Sequence, residues 1–523
     1  MHIPLENLYA LKINNELCPL DTPIEVTSFV EPVLSDTKEG AAIYRRSLCF
    51  LLAAAANKLF PNIRLVVGHS LGHGYFYTFD KESTLTDAEF TLLQQEMRDL
   101  VKKDLQIKTT YISYEEATKL FEVYKLTETR KLMNFTGKAR IKINTIERFA
   151  DLYFNALVPS TGILKTFEIK KYKEGFFLRF PKSSNPNELT KFVEEPKLYE
   201  LYKTYKDWGK RLNVTSVASL NELICHQKIN DFIDISETYQ EKTISDIATQ
   251  IYSSKKVRIV LIAGPSSSGK TTTSKKLGLE LQAIGYTPKI ISLDCYYKGR
   301  EFTPLDENGE PDFECLEALD VDLLNQNLID LFDGKEVTIP SYDFHSGKQF
   351  FDTKNNMILN KNEILIMEGI HGLNDQLTPK IPHEMKFKIY LSALTQLNLD
   401  DHNRISTSDN RLIRRIVRDF NFRGKSAAGT ISMWQSVRNG EIKHIFPFQN
   451  NADAILNTAL DYELAVLRVY AAPLLRQINP TMKEYTEATR LLTFLENFVT
   501  VPSTAVPPRS ILREFIGVSA FKY

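Results

Sequence analysis

The C-terminal half of the sequence predicts an α/β fold: a mostly parallel sheet flanked by helices, organised around a phosphate-binding loop and completed by a lid. Three observations predict it. Residues 257–263 form a short apolar, β-branched run of the kind buried on both faces of a parallel sheet. That run leads straight into Gly264-Pro-Ser-Ser-Ser-Gly269-Lys270-Thr271, which fits G-x-x-x-x-G-K-[ST] at every fixed position, and a helical pattern follows over 272–284. Further strand-like runs at 289–293, 364–367, 386–391 and 454–457 are separated by helical stretches, the alternation of βαβ units.

The residue types of the loop follow from what a polyphosphate demands. Glycines at 264 and 269 let the backbone curl so that successive N–H groups point inward at phosphate oxygens. The N-terminus of the next helix adds its partial positive charge at the same place. Gly264, Pro265, Ser266, Ser267, Ser268, Gly269, Lys270, Thr271 and Thr272 are therefore the candidate residues for the phosphates of ATP. Lys270 supplies a mobile full charge, and the Thr271 hydroxyl can hold Mg²⁺.

A phosphate loop alone implies nucleotide binding, and three further elements narrow the chemistry. Asp294 follows the second strand in Ser292-Leu-Asp294-Cys-Tyr296-Tyr297. A carboxylate at the C-terminal end of a sheet strand faces the crevice where such folds bind ligands, and it can take the proton of an attacking hydroxyl. A turn-capping role is its alternative. The loop Pro340-Ser-Tyr342-Asp343-Phe344-His345-Ser-Gly-Lys348 mixes aromatic and polar groups that can hold a sugar and stack a base. The run Glu363-Ile-Leu-Ile-Met-Glu368 is a buried strand ending in an acid, with Glu368 a second candidate for Mg²⁺.

Arg411, Arg414, Arg415 and Arg418 recur at i, i+3, i+4 and i+7, one face of a helix, with Arg423 and Lys425 at its end. Downstream of a phosphate loop this stripe reads as a lid that closes on the transferred group and neutralises developing charge. Arg415 and Arg418 are its catalytic candidates, and Arg411 and Arg423 its substrate-binding ones.

Bulk composition excludes several classes. At 523 residues the chain exceeds one compact core. Lys+Arg and Asp+Glu balance at 65 each, so no global field draws the protein to nucleic acid or membrane. The Lys102-Lys103 and Lys170-Lys171 clusters are local and lack interleaved aromatics. Cys18, Cys49, Cys225, Cys295 and Cys315 show no Cys-x-x-Cys spacing, as expected of reduced thiols in a cytoplasmic protein. The longest apolar run, 48–56, is about half a bilayer span. Nothing here specifies an oligomeric state, and a homo-oligomer is compatible with it.

The ordered set GPSSSGKTT, SLDCYY, PSYDFHSGK, IMEGI and RLIRRIVRDFNFRGK resembles the uridine kinase and phosphoribulokinase family over about 257–461, the uridine kinase branch above all. The resemblance implies transfer of the ATP γ-phosphate to a nucleoside 5′-hydroxyl, with uridine or cytidine as acceptor. It assigns Asp294 as the catalytic aspartate and Tyr342 and His345 to the nucleoside loop, with Tyr297 and Glu317 as further acceptor contacts. The family's acidic-aromatic stretch is altered here to Phe313-Glu-Cys-Leu-Glu317-Ala-Leu-Asp320, and the loop between Phe344 and His345 looks shortened. Both departures fall on the acceptor side. A phosphoribulokinase-like acceptor is thus the alternative, and an ATP-switched RNA-binding or regulatory protein the alternative of another class.

The N-terminal half resembles the amino-terminal region of threonyl-tRNA synthetase through Arg46-Ser-Leu-Cys-Phe50, Gly68…Gly74-Tyr-Phe-Tyr77 and Phe149-Ala-Asp151-Leu-Tyr153…Leu157-Val-Pro159. The resemblance implies an α+β domain with an editing site at four positions, which here read Arg46, Phe50, Tyr153 and Leu157. Phe and Leu offer no lone pair and Arg stays protonated, so a Zn²⁺-type site cannot form and the domain is expected to be inactive. His69-Ser-Leu-Gly-His73 has metal-like spacing, but its glycines predict a strand-turn-strand. The expected domains are a partial TGS-like segment (1–43), the synthetase-like domain (44–190), a helical connector (191–254) and a nucleoside kinase domain with a C-terminal helical extension (255–523).

Overall fold

The computed structural model describes residues 5–72, 74–81, 84–305, 309, 311–343 and 346–522. The chain forms two compact units. Met1–Ile229, Thr395–Ser406 and Leu464–Val501 make the first; Asn230–Leu394, Thr407–Glu463 and Pro502–Tyr523 make the second. No helix among the described residues is long and apolar enough to cross a membrane.

The first unit is α+β. Strands β1 (Leu8–Ile13), β2 (Glu16–Cys18) and β3 (Val30–Leu34) form a small antiparallel sheet in the order β2-β1-β3. Strands β4 (Leu65–Leu71) and β5 (Gly74–Phe79) are the hairpin that the glycine spacing around His69 predicts; His73 lies outside the described residues. Three further strands, β6 (Lys108–Ser113), β7 (Arg140–Ile146) and β8 (Phe149–Asp151), pair in that order. Finally β9 (Glu168–Tyr172) and β10 (Gly175–Arg179) complete the four-stranded sheet β4-β5-β10-β9.

Alternation along β5 and β10 sorts the aromatics between two cores. Tyr77 and Phe176 join the helix Lys38–Leu59 in the main core, while Phe76 and Phe177 pack with Tyr199 and Tyr202 of the helix Pro196–Arg211. The helix Lys38–Leu59 starts where the Thr37 hydroxyl accepts from Gly40 N, a conventional N-cap. The four editing-site positions fall in or beside the main core. Arg46 donates to the Ala156 carbonyl at 2.7 Å, the Phe50 and Tyr153 rings lie 5.1 Å apart, and Leu157 is buried beside them.

The segment Thr395–Ser406 is tied to this unit by its own polar groups. Asp401 is fully buried, pairs with Arg64, and accepts from Glu128 N at 2.9 Å and Thr129 N at 3.0 Å. His402 Nδ1 sits 2.7 Å from the Asp151 carboxylate.

The second unit holds a five-stranded, all-parallel sheet. Its strands are β11 (Ile259–Ala263), β12 (Thr287–Ser292), β15 (Glu363–Glu368), β16 (Lys386–Ser392) and β17 (Ala454–Asn457), in the order β12-β15-β11-β16-β17. Between β12 and β15 the chain makes the antiparallel hairpin β13 (Val337–Asp343) and β14 (Lys348–Met357). Residues alternate between the sheet's two faces: Ile259 and Leu261 enter one core, Val260 and Ile262 the other. Both faces are covered, which is why β11 reads as an unbroken apolar run.

Domain limits drawn from composition need correction. The helix Ile229–Ser254, expected as connector, packs Ile244, Ile247 and Ile251 into the core beneath the parallel sheet. Its apolar face, spaced at helical intervals, makes it part of the second unit rather than a spacer. Residues Leu464–Val501, expected as an extension of the kinase domain, group with the first unit.

Because Phe50 is fully buried between Phe149 and Tyr153, Phe50→Ala should leave an uncollapsed void. A loss of about 3–5 kcal/mol is expected, read as an earlier urea midpoint of the first unit with an unchanged slope.

Candidate active site

Three neighbouring strands deliver the candidate groups to one sheet edge. In the order β12-β15-β11 their C-terminal ends lead into Asp294, Glu368 and the phosphate loop. The register pairs Ser292 and Ile262 with Glu368, so the three ends are level. This edge is the crevice that ligands occupy in open parallel sheets.

The loop takes its curl from two left-handed residues. Ser267 has φ 58° and Gly269 φ 82°. A Cβ at Gly264 would lie 2.7 Å from the Leu391 carbonyl, so only glycine lets the loop leave β11 so close to β16. The helix Lys270–Ala283 follows at once. Lys270 Nζ donates to the Gly264 and Pro265 carbonyls at 3.0 and 3.3 Å, and Ser268 N donates to the Pro265 carbonyl at 3.2 Å. The Ser267 and Ser268 hydroxyls are buried and have no hydrogen-bond partner among the described residues. Thr272 donates through both N and Oγ1 to Glu514, at 3.1 and 2.7 Å.

Asp294 sits in the 3₁₀ turn Leu293–Tyr296, capped by the Ser292 hydroxyl. Its carboxyl opens to solvent, yet the protein around it raises its pKa, while the charges of Lys270 and Arg423 pull it back down. Asp294 follows the end of β12, level with the end of β11 from which the phosphate loop and Lys270 emerge. Glu368 is buried and is pushed up to about 7, first by burial and then by the charges of Asp294 and Glu514; Lys270 opposes the shift. Thr271 Oγ1 donates to Glu368 Oε1 at 3.2 Å.

These donors suit Mg²⁺. Thr271 and Glu368 are hard oxygen ligands, and no group of three His, Cys, Asp or Glu side chains is placed to hold a metal among the described residues. Mg²⁺ needs no all-protein cage, because it keeps waters and binds through one or two side chains plus phosphate.

The arginine helix runs Thr407–Arg423 and its arginines divide by burial. Arg415 Nη1 donates to Ser266 Oγ at 2.8 Å, and Arg418 to Asp419 Oδ1 at 2.8 Å. Arg423 is 59% exposed and its charge is felt at Asp294. Arg411 departs from the lid reading. It is fully buried, paired with Glu441, and donates to the Ser266 carbonyl at 2.9 Å. Arg414, likewise buried, pairs with Glu463 at 2.5 Å and donates to the Ser267 carbonyl at 3.2 Å. A guanidinium already committed to a buried carboxylate and a loop carbonyl is not free to take a substrate. The face that looked like a substrate-gripping stripe therefore splits into two fully buried anchors and two mostly buried charges, with exposed Arg423 at the helix end.

On the acceptor side, Tyr297 donates to the Phe313 carbonyl at 3.0 Å and its ring lies 5.5 Å from that of half-buried Tyr342. His345 lies outside the described residues. Glu317 is exposed, and its charge acts on Cys315, His371 and His444 rather than on Asp294. Glu314, three residues earlier, is the acid beside the candidate catalytic groups. Burial and Glu441 push it up to about 7 against the charges of Lys270 and Arg415. The acidic-aromatic stretch carried that signal, but spacing alone does not choose between its acids. Nor does local sequence mark Glu441, Glu463 or Asp419. Asp419 is almost fully buried and draws Arg415, Arg418 and Arg423 together.

Residues 259–465 match the Phosphoribulokinase / Uridine kinase family. The matched region spans the parallel sheet, the phosphate loop, Asp294, Glu368 and the arginine helix, and the match supports a P-loop kinase. A chain described as a possible uridine kinase from Bacillus stearothermophilus is similar at 17% identity and TM-score 0.27, covering 44% of this chain and all of that one. The N-terminal half matches threonine–tRNA ligases. That of Desulforamulus reducens is 32% identical over 162 residues, 30% of this chain and 25% of the relative. That of Caldanaerobacter subterraneus subsp. tengcongensis is 26% identical over 224 residues, 39% of this chain and 34% of the relative. The chain spans about a quarter to a third of the length of these relatives.

Two outcomes are expected from this geometry. Glu441→Gln leaves the Arg411 guanidinium without its buried counter-charge, and a loss of about 3–5 kcal/mol is expected by urea denaturation, with weakened ATP binding. The raised folded-state pKa of Glu368 gives stability that is present below its unfolded value and lost as pH rises through about 7. In EDTA, Glu368→Gln should therefore be more stable than wild type at pH 8, by on the order of 3 kcal/mol, with the difference closing as pH falls to about 4.

Proposed function

We propose that the second unit is a Mg²⁺- and ATP-dependent nucleoside kinase that phosphorylates the 5′-hydroxyl of a pyrimidine nucleoside, uridine or cytidine. The single observation that supports the reading is the level ends of β12, β15 and β11, which lead Asp294, Glu368 and the phosphate loop to one sheet edge within a region matched by the Phosphoribulokinase / Uridine kinase family. A phosphate grip and a proton acceptor at the same edge are what transfer to an alcohol requires.

The 264–272 backbone and Lys270 hold the triphosphate. Thr271 and Glu368 would hold Mg²⁺, which when bound neutralises charge on the β- and γ-phosphate oxygens. Asp294 takes the proton of the 5′-hydroxyl as its oxygen attacks the γ-phosphorus and the bond to the β-phosphate oxygen breaks, leaving ADP. Arg415, Arg418 and Arg423, gathered by Asp419, offset charge on the moving phosphoryl group. Tyr297 and Tyr342 form the aromatic side of the acceptor pocket, with Glu314 as an acid able to receive hydroxyls; Glu317 and His345 are retained as flanking acceptor contacts. The first unit is proposed to be a synthetase-like module without editing hydrolysis, on the support of the packed Phe50–Tyr153 pair. Within it the 1–43 segment is TGS-like, and the protein as a whole is proposed to act in the cytoplasm in pyrimidine salvage.

Lys270→Ala and Asp294→Asn are each expected to reduce turnover by at least about 10²-fold, but only Lys270→Ala should strongly weaken ATP binding by calorimetry. Equal loss of ATP affinity in both would contradict the division of roles. An ATP-consumption screen across uridine, cytidine, purine nucleosides and pentose phosphates tests the acceptor. Turnover only with a pentose phosphate would replace the nucleoside by a phosphoribulokinase-like acceptor.

A further inference from the structure

The first unit contains a cavity of about 420 Å³ that the kinase reading does not use. Its size falls in the range of small-molecule sites. None of Arg46, Phe50, Tyr153 or Leu157 lines it, so it is distinct from the editing-site positions. Val67, Phe76, Phe79, Phe176 and Tyr202 supply apolar and aromatic wall. Two polar features stand out against that wall.

The first is a row of lysines. Lys203, Lys206 and Lys210 lie at i, i+3 and i+7 on the helix Pro196–Arg211, and all three line the cavity. Lys203 is paired with Glu174 at 3.6 Å. Lys206 and Lys210 enter no ion pair among the described residues, and the Lys206 amine donates only to the Tyr202 hydroxyl, at 2.7 Å. Burial, then the neighbouring Lys210, push Lys206 down to about 8, against the opposing charges of Glu174 and Asp207, which also line the cavity. A partly buried amine beside a second cation favours an anion that would restore its charge.

The second feature is the Gln396 side chain. Both its amide nitrogen and its amide oxygen are buried, and neither has a hydrogen-bond partner among the described residues. Leaving a buried primary amide wholly unsatisfied is costly, so such groups are as a rule met by a ligand or ordered water. Its neighbours on the same segment are satisfied: Asn398 donates to the Val67 carbonyl at 2.6 Å, and the Asp400 carboxylate accepts from His402 N and Asn403 N. Gln396 is the cavity-lining group of this segment left with both functions open.

We propose that this cavity is a binding site for a small aromatic organic anion, its charge taken by Lys206, its ring by the Phe76–Tyr202 wall and its polar edge by the Gln396 amide. The site depends on neither the phosphate loop nor the nucleoside pocket.

The test is a fluorescence titration of the full chain with 1-anilinonaphthalene-8-sulfonate, an aromatic anion, with excess ATP and Mg²⁺ present to fill the phosphate loop. One saturable site is expected, weakened at least tenfold by Lys206→Met and restored by Lys206→Arg. Absence of a saturable site, or a Lys206→Met titration equal to wild type, would overturn the proposal. A second measurement needs no variant: limiting acetic anhydride followed by mass spectrometry. The probe should shield Lys206 from acetylation at least threefold and leave Lys255 unaffected. Equal labelling of Lys206 with and without probe would also overturn it.

Discussion

The phosphate loop is held in its curl from behind, and the candidate active site depends on that support. Ser267 and Gly269 adopt left-handed backbone conformations, and for the serine this carries strain that surrounding contacts must offset. Arg411 and Arg414 provide those contacts, donating to the carbonyls of Ser266 and Ser267 while pairing with buried Glu441 and Glu463. Glu441 also accepts from Ser266 N at 3.1 Å, so one carboxylate fixes both the loop and the arginine that braces it. Removing water from two ion pairs is costly, and the return is geometric: inward-facing amides are set before a phosphate arrives.

The same arrangement explains the division within the arginine helix. Positions 411 and 414 face inward and are spent on structure. Positions 415, 418 and 423 turn toward the site and share Asp419, which keeps three like charges close without a bound anion. Burial raises the pKa values of Glu368 and Glu314, and the protein around the more exposed Asp294 raises its own, while Lys270 opposes each shift. A carboxyl cluster balanced against one mobile ammonium responds strongly to an incoming cation or phosphate.

What the sequence reveals tracks how local each signal is. The strand–loop–helix around Gly264 to Thr271, the acid after β12 and the acid ending β15 are all written in consecutive residues, and each lies where its pattern predicts. The arginine stripe was legible as a helix face, but its meaning was not. Glu441 and Glu463 lie 30 and 49 residues from their partners, and nothing in the intervening chain marks them. Glu314 and Glu317 differ only in which way a short turn directs them. The division into units was hidden for a similar reason: Thr395–Ser406 falls inside the stretch assigned to the kinase domain, and only the fold reveals that Asp401 and His402 are buried among first-unit partners. In the first unit the loss of donors at Phe50 and Leu157 was plain from residue type, whereas the cavity beside Lys206 arises from segments nearly 200 residues apart.

An edge that both grips a triphosphate and deprotonates an alcohol must yield a phosphorylated alcohol, and the product itself is the test. Phosphorus-31 NMR of the purified chain with ATP, Mg²⁺ and uridine should reveal ADP together with a new phosphomonoester resonance coupled to the two 5′-methylene protons. ADP accompanied by inorganic phosphate alone, across every nucleoside and sugar offered, would mean that no acceptor oxygen reaches the γ-phosphorus, and the account of Asp294 as its base would be wrong.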